Sequence, residues 1–376
     1  MNRLRYILLF CVIVAVYITY YVLQPYIDYT ADILYDGKKY LKIAYYFMNE
    51  ATSYSIDFPF NSRIGVPFVV SFFSDHLITF SVLNIISLVL FFCILVYFLI
   101  EYTGAKFAHI TFVLLWLSLH YIGPVRYYIH DPVSIDLQIM VVETLVVLSF
   151  FKKRGLSVVF LAVIGVFIKE SIIPLLVVLA LSSYLFFNKD LLKSIISALI
   201  ITIVIKVILG FEYPMAVPNW KYNSVITLLY RLKVIFLHPL ELLQWLTSLL
   251  FIGSLFLVKI KRVYNLSSEQ KTILLLAFYG LGISLLGGGD YSRLLFVSSV
   301  YIFTSLLLFM REVDSREFMF LLLGSVPFMR INYILPRQYS YKTYPEHFDV
   351  LTCVVWLAYF LIVLVVCKMY WDRKKV

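Results

Sequence analysis

Twelve stretches of this chain are long, apolar and nearly free of charge, and that repetition constrains its fold more than any other feature. The first, residues 6–23, contains no charged side chain. In a bilayer every backbone N–H and C=O must find a partner within the protein, so segments of about 20 apolar residues cross as helices. The remaining stretches run over 77–100, 105–122, 134–151, 156–168, 171–187, 194–210, 240–258, 272–287, 294–310, 318–329 and 349–367. Two of them, 156–168 and 318–329, fall short of the roughly 17 residues that span fully, and are expected to be thin, tilted or partly re-entrant. Charged residues make up 14% of the chain, against about 25% in a soluble domain. The expected fold is therefore an all-α polytopic membrane protein. It forms one transmembrane domain over 1–376, with about twelve transmembrane or partly re-entrant helices.

The net charge of +10 would suit a nucleic-acid partner only if the cations were gathered on one soluble face. They are distributed by topology instead. With residues 1–5 inside and the 6–23 stretch kept as an uncleaved first span, the inner loops sum to about +11 and the outer loops to about −1. Both termini are then cytoplasmic, and no nucleic acid is expected. Cys11, Cys93, Cys353 and Cys367 lie in apolar runs without metal-type spacing, and are expected to be small core hydrophobes.

The inner connections are short, whereas the outer ones are long and rich in Asp, Tyr, Pro and Arg. Function is therefore expected to face outward. In the first outer loop, residues 24–75, apolar positions between 32 and 48 recur at helical spacing among Lys38, Lys39 and Lys42. That pattern predicts an amphipathic helix at the interface. A second interfacial element is expected around Trp220, Tyr222 and 228–236. Asp28, Asp32 and Asp36 are spaced by four and would share a helix face, although Gly37 favours a helix start near Asp36. Asp57 opens a run that ends in Arg63 and Pro67. Arg63 can snorkel to headgroup phosphates or grip a phosphate as a two-pronged donor.

Three further groups fall on the outer side. Arg126, His130 and Asp131 lead into Asp136 and Glu143, and a carboxylate within a span tends to face a polar cavity. Lys169 and Glu170 form the turn between two short spans. Asp290 and Arg293 follow a glycine run, where a cation beside a helix N-terminus makes a plausible anion site. The last outer loop interleaves Arg330, Arg337, Lys342 and His347 with tyrosines.

This layout resembles the GT-C superfamily of integral-membrane glycosyltransferases. The resemblance is carried by Asp36-Gly-Lys-Lys-Tyr40-Leu-Lys-Ile-Ala44, by Pro59-Phe60-Asn-Ser-Arg63-Ile-Gly-Val-Pro67, by Lys169-Glu170, and by Gly289-Asp290-Tyr-Ser-Arg293. It departs from the family in lacking a paired Asp-Glu directly after the first span and a soluble C-terminal domain. The resemblance implies transfer of a sugar from a polyprenyl-phosphate donor to a glycan, lipid or protein acceptor at the outer face of the bilayer. Asp36 is the first candidate for the base, with Asp32 and Asp28 behind it. Arg63, Lys169 and Arg293 would contact the phosphate or donor, and Glu170, Asp131 and Asp290 would line the site. A divalent cation, Mg²⁺ or Mn²⁺, is allowed by the family and by oxygen ligands from the three loop acids.

The rival expectation is a transporter or flippase, in which the intramembrane Glu143, Asp136 and Lys206 carry the function. A weaker third is a polymerase or acyltransferase using His130 or His347 as base.

Overall fold

The computed structural model describes residues 2–23, 27, 29, 36–49, 54–119, 123–187, 189–214, 265–286 and 291–309, with isolated positions in 229–237 and 358–369. All regular structure among these residues is helical. In chain order come α1 (Asn2–Leu23), α2 (Asp36–Phe47), a 3-10 turn (Phe60–Ser62) and α3 (Gly65–Val70). They are followed by α4 (His76–Thr103), α5 (Phe107–Leu119), α6 (Pro124–His130), α7 (Asp136–Phe151), α8 (Gly155–Ile168), α9 (Ile172–Phe186) and α10 (Lys189–Glu212). Helices Ser268–Leu286, Tyr291–Val297 and Ser299–Phe309 close the described part.

Five segments among the described residues are long and apolar enough to cross a membrane: Arg5–Leu23, His76–Thr103, Phe107–His130, Leu191–Glu212 and Ser268–Leu286. Gly155–Ile168, Ile172–Phe186 and Ser299–Phe309 are apolar but shorter; the first is the 156–168 stretch expected to be thin, whereas 294–310 is expected as a full-length span. The expected spans at 240–258, 318–329 and most of 349–367 lie outside the described residues, as does the interfacial element around Trp220.

The ends of α4 show how local chemistry sets these boundaries. The Asp75 carboxylate accepts from the Ile78 N–H at 2.9 Å and caps the N-terminus. Gly104 closes the other end at φ 64°, a left-handed position that costs a glycine little. The core of the bundle is built where α8 packs on α7 and α10, α9 on α10, α4 on α7, and Ser268–Leu286 on Ser299–Phe309 and α9. Outward, large apolar side chains such as Leu156, Ile200 and Phe211 are exposed, the surface that lipid would cover.

One expectation is corrected. Cys11 and Cys93 are exposed rather than in the core, because each sits on the outward side of a long apolar helix; Cys353 and Cys367 lie outside the described residues. Arg126 to His130 belong to helix α6, started by Pro124 at its first turn. All seven of its residues are buried.

The described part of loop one holds α2, the 3-10 turn and α3, joined by non-helical residues; of the helix expected from residue 32, residues 32–35 lie outside the described ones. The apolar side of α2, Tyr40, Leu41, Ile43 and Ala44, is buried with Ile56, Phe60, Val70 and Val133 in a second core distinct from the main one. The amphipathic pattern thus serves packing onto α3 and the 3-10 turn. Gly37 is required here, since a Cβ at that position would overlap the Tyr29 ring.

Candidate functional site

At the pole of the bundle where α8 ends and α9 begins, the chain turns tightly. The Lys169 N–H donates to the Gly165 carbonyl at 2.8 Å, and the Ile173 N–H to the Glu170 carbonyl at 3.0 Å. This turn presents Lys169 and Glu170 side by side. Gly65 lets α3 abut the same place, because a Cβ there would lie 3.1 Å from the Phe167 carbonyl oxygen. Two residues before Gly65, Arg63 is thereby set against Glu170.

Arg63 donates through Nε to Glu170 Oε2 at 3.0 Å and through Nη2 to Glu170 Oε1, a two-pronged pair, and through Nη1 to the Tyr40 hydroxyl at 3.1 Å. Lys206, from α10, donates to Ser62 Oγ at 2.5 Å and lies 3.3 Å from Glu170 Oε2. Two cations therefore share one carboxylate, leaving the trio one positive charge in excess. Arg63 is buried, while Glu170 keeps 29% and Lys206 18% of its side-chain surface. The Phe60 ring floors the cluster, with the Arg63 guanidinium carbon 4.8 Å and Lys39 Nζ 3.8 Å from its centroid.

The electrostatics follow from this pairing. Burial alone would raise the Glu170 carboxyl, but Arg63 and then Lys206 hold it far below the ordinary carboxylate range. Burial would lower the Arg63 guanidinium, and Glu170 overrules it, so Arg63 stays charged. Burial pushes the Tyr40 phenol up, so it remains a neutral hydroxyl able to accept from Arg63.

The other expected site residues take different places. Lys169 pairs with Asp136 at 2.6 Å, both largely buried, beside the first cluster. Asp36 opens α2 one turn before Tyr40, is partly exposed, and has Lys39 3.9 Å away. Asp131 is buried and accepts from Tyr29 at 2.5 Å and Tyr127 at 3.2 Å. Tyr29 also receives the Val133 N–H at 3.1 Å, so Asp131 anchors the start of loop one to α6. Asp28, Asp32 and Asp290 lie outside the described residues. Arg293 falls within helix Tyr291–Val297, but its side chain is outside the described part.

Lys206, read from sequence as a charge of the transport alternative, belongs to the Arg63 cluster. Ser62 and Tyr29 carry no sequence signal of their roles, since both partner residues more than a hundred positions away. Among the described residues no group of three or more His, Cys, Asp or Glu side chains is placed to hold a metal ion. Of the three loop acids expected to offer oxygen ligands, only Asp36 is among the described residues, and no such group surrounds it. Comparison with family models, curated proteins and solved structures yields no match to this chain.

Proposed function

We propose that this chain is an integral-membrane glycosyltransferase of the GT-C type, moving a sugar from a polyprenyl-phosphate donor to an acceptor hydroxyl at the outer face of the bilayer, with both termini cytoplasmic. The observation that carries this reading is the cluster at one pole of the bundle, where Arg63 and Lys206 share Glu170 and leave a net positive site beside the partly exposed Asp36. Asp36 takes the acceptor proton. The acceptor oxygen bonds to the anomeric carbon, the bond from that carbon to the lipid phosphate oxygen breaks, and the departing phosphate gains its negative charge beside Arg63 and Lys206. Glu170 orients both cations and keeps them from pairing elsewhere. Asp32 and Asp28 stand as alternative bases, and Arg293 as a further phosphate contact.

Transport of a lipid-linked or small polar substrate is the second reading. It draws support from Glu143, buried within α7 with Oε1 lacking a hydrogen-bond partner. Proteoliposomes loaded with a panel of radiolabelled polyprenyl-phosphate sugars separate the two. Transfer predicts free polyprenyl phosphate and labelled acceptor as products. Movement of unaltered donor across the bilayer, without cleavage, would replace transfer by transport.

A further inference from the structure

At the pole opposite the Arg63 cluster, a half-open cavity of about 490 Å³ lies where α7 turns into α8, α9 ends, and α10 and Ser268–Leu286 begin. Its lining includes one cation, Lys153, one carboxylate, Glu269, the hydroxyls of Ser194 and Ser268, and the rings of Phe186 and Phe187. With α8 only 14 residues long, this cavity is about 20 Å from the Arg63 cluster, too far to share its substrate. Lys153 and Glu269 are not joined in an ion pair, so each leaves its charge available to the space between.

Lys153 is an exposed side chain at the rim of this cavity, beside the start of α8. Lys153 itself sits at φ 55° just after α7, with its N–H donating to the Phe150 carbonyl. Glycine is the usual occupant of such a left-handed position. Glu269 offers the complementary charge for an ammonium, while Ser267 and Gln270 already cap that helix reciprocally.

We propose that this cavity binds the headgroup of a zwitterionic phospholipid with a primary ammonium, of the phosphatidylethanolamine class, its phosphate toward Lys153 and its ammonium toward Glu269. The rim favours a lipid over a soluble phosphoamine. Leu156, 89% exposed, follows Gly155 directly, and Phe160, Ile196 and Ile200 continue an exposed apolar track along α8 and α10 toward the bundle centre. Acyl chains would lie on that track once the headgroup is seated.

Native mass spectrometry of the full chain in detergent, titrated with dioleoyl phosphatidylethanolamine, dioleoyl phosphatidylglycerol and O-phosphoethanolamine, tests this site. The wild type is expected to bind the ethanolamine lipid about fivefold more tightly than the glycerol lipid. Glu269→Gln should erase that preference. Lys153→Gly should weaken the ethanolamine lipid about tenfold while leaving the melting temperature unchanged or higher, because glycine suits the left-handed turn. Lys153→Asn, which also tolerates that turn, should reproduce the loss. Equal binding of the two lipids by the wild type, or unaltered ethanolamine-lipid binding in both Lys153 variants, would overturn the proposal. O-phosphoethanolamine binding as tightly as the diacyl lipid would overturn the assignment to a lipid.

Discussion

Lys206 donates to the hydroxyl of Ser62 at 2.5 Å, joining α10 to a loop 144 positions earlier. That bond, with the shared Glu170, ties loop one to the transmembrane bundle through charge, beside the apolar contacts of the second core. Lys206→Met keeps most of the side-chain volume and leaves Arg63 paired with Glu170. It is expected to lower donor affinity about tenfold, read as a rise in KM with a stable fold. An unchanged KM would remove Lys206 from the phosphate site.

Breaking the Arg63–Glu170 pair leaves a carboxylate under-compensated. Arg63→Ala should destabilise the chain by about 2–4 kcal/mol, because it leaves a largely enclosed carboxylate with one cation instead of two. Arg63→Lys should fold better than Arg63→Ala yet lose the two-pronged grip and the contact to Tyr40 together. Thermal melting of both variants checks the order.

Glu170 also sets an acid limit. Its folded-state pKa is depressed below the ordinary 4.5, so the stability it contributes is fully present above about pH 4.5 and is lost as pH falls toward the folded value. Wild-type melting temperature should therefore drop below pH 4.5 more steeply than that of Glu170→Gln. Parallel curves for the two would show that Glu170 carries no such linkage.

Asp131 is expected to support the fold and not the chemistry. Its carboxylate is committed to Tyr29 and Tyr127, so Asp131→Asn should cost about 1–3 kcal/mol of stability while the surviving folded enzyme keeps its KM. A KM shift with unchanged melting would instead place Asp131 against substrate.

Much of the bundle was readable from apolar run length alone, including the short α8 and α9, because desolvating a helix backbone needs no knowledge of neighbours. Gly37 was legible in the sequence as a turn or helix-start residue, though the close approach to Tyr29 that requires this glycine was not. Helix α6 escaped reading because Arg126 and His130, with Asp131 capping its end, look like loop chemistry, and their helical setting depends on burial among α1, α4 and α5. In the candidate site, Arg63 and the Lys169-Glu170 pair stood out as charges beside apolar sequence. The pairing of Arg63 with Glu170 did not, since the 107 positions between them follow no periodicity. Lys206 was visible only as a charge within a span, and its partner Ser62 is one hydroxyl among many.

Asp36 bears the heaviest burden in the proposed transfer, and Asp36→Asn keeps its shape while removing its capacity to accept a proton. The decisive measurement is turnover of a labelled polyprenyl-phosphate sugar by this variant in proteoliposomes, alongside donor binding and thermal melting. The account predicts wild-type melting and donor binding with turnover reduced at least about a hundredfold. Turnover within a few fold of wild type would contradict it and pass the role of base to Asp32 or Asp28.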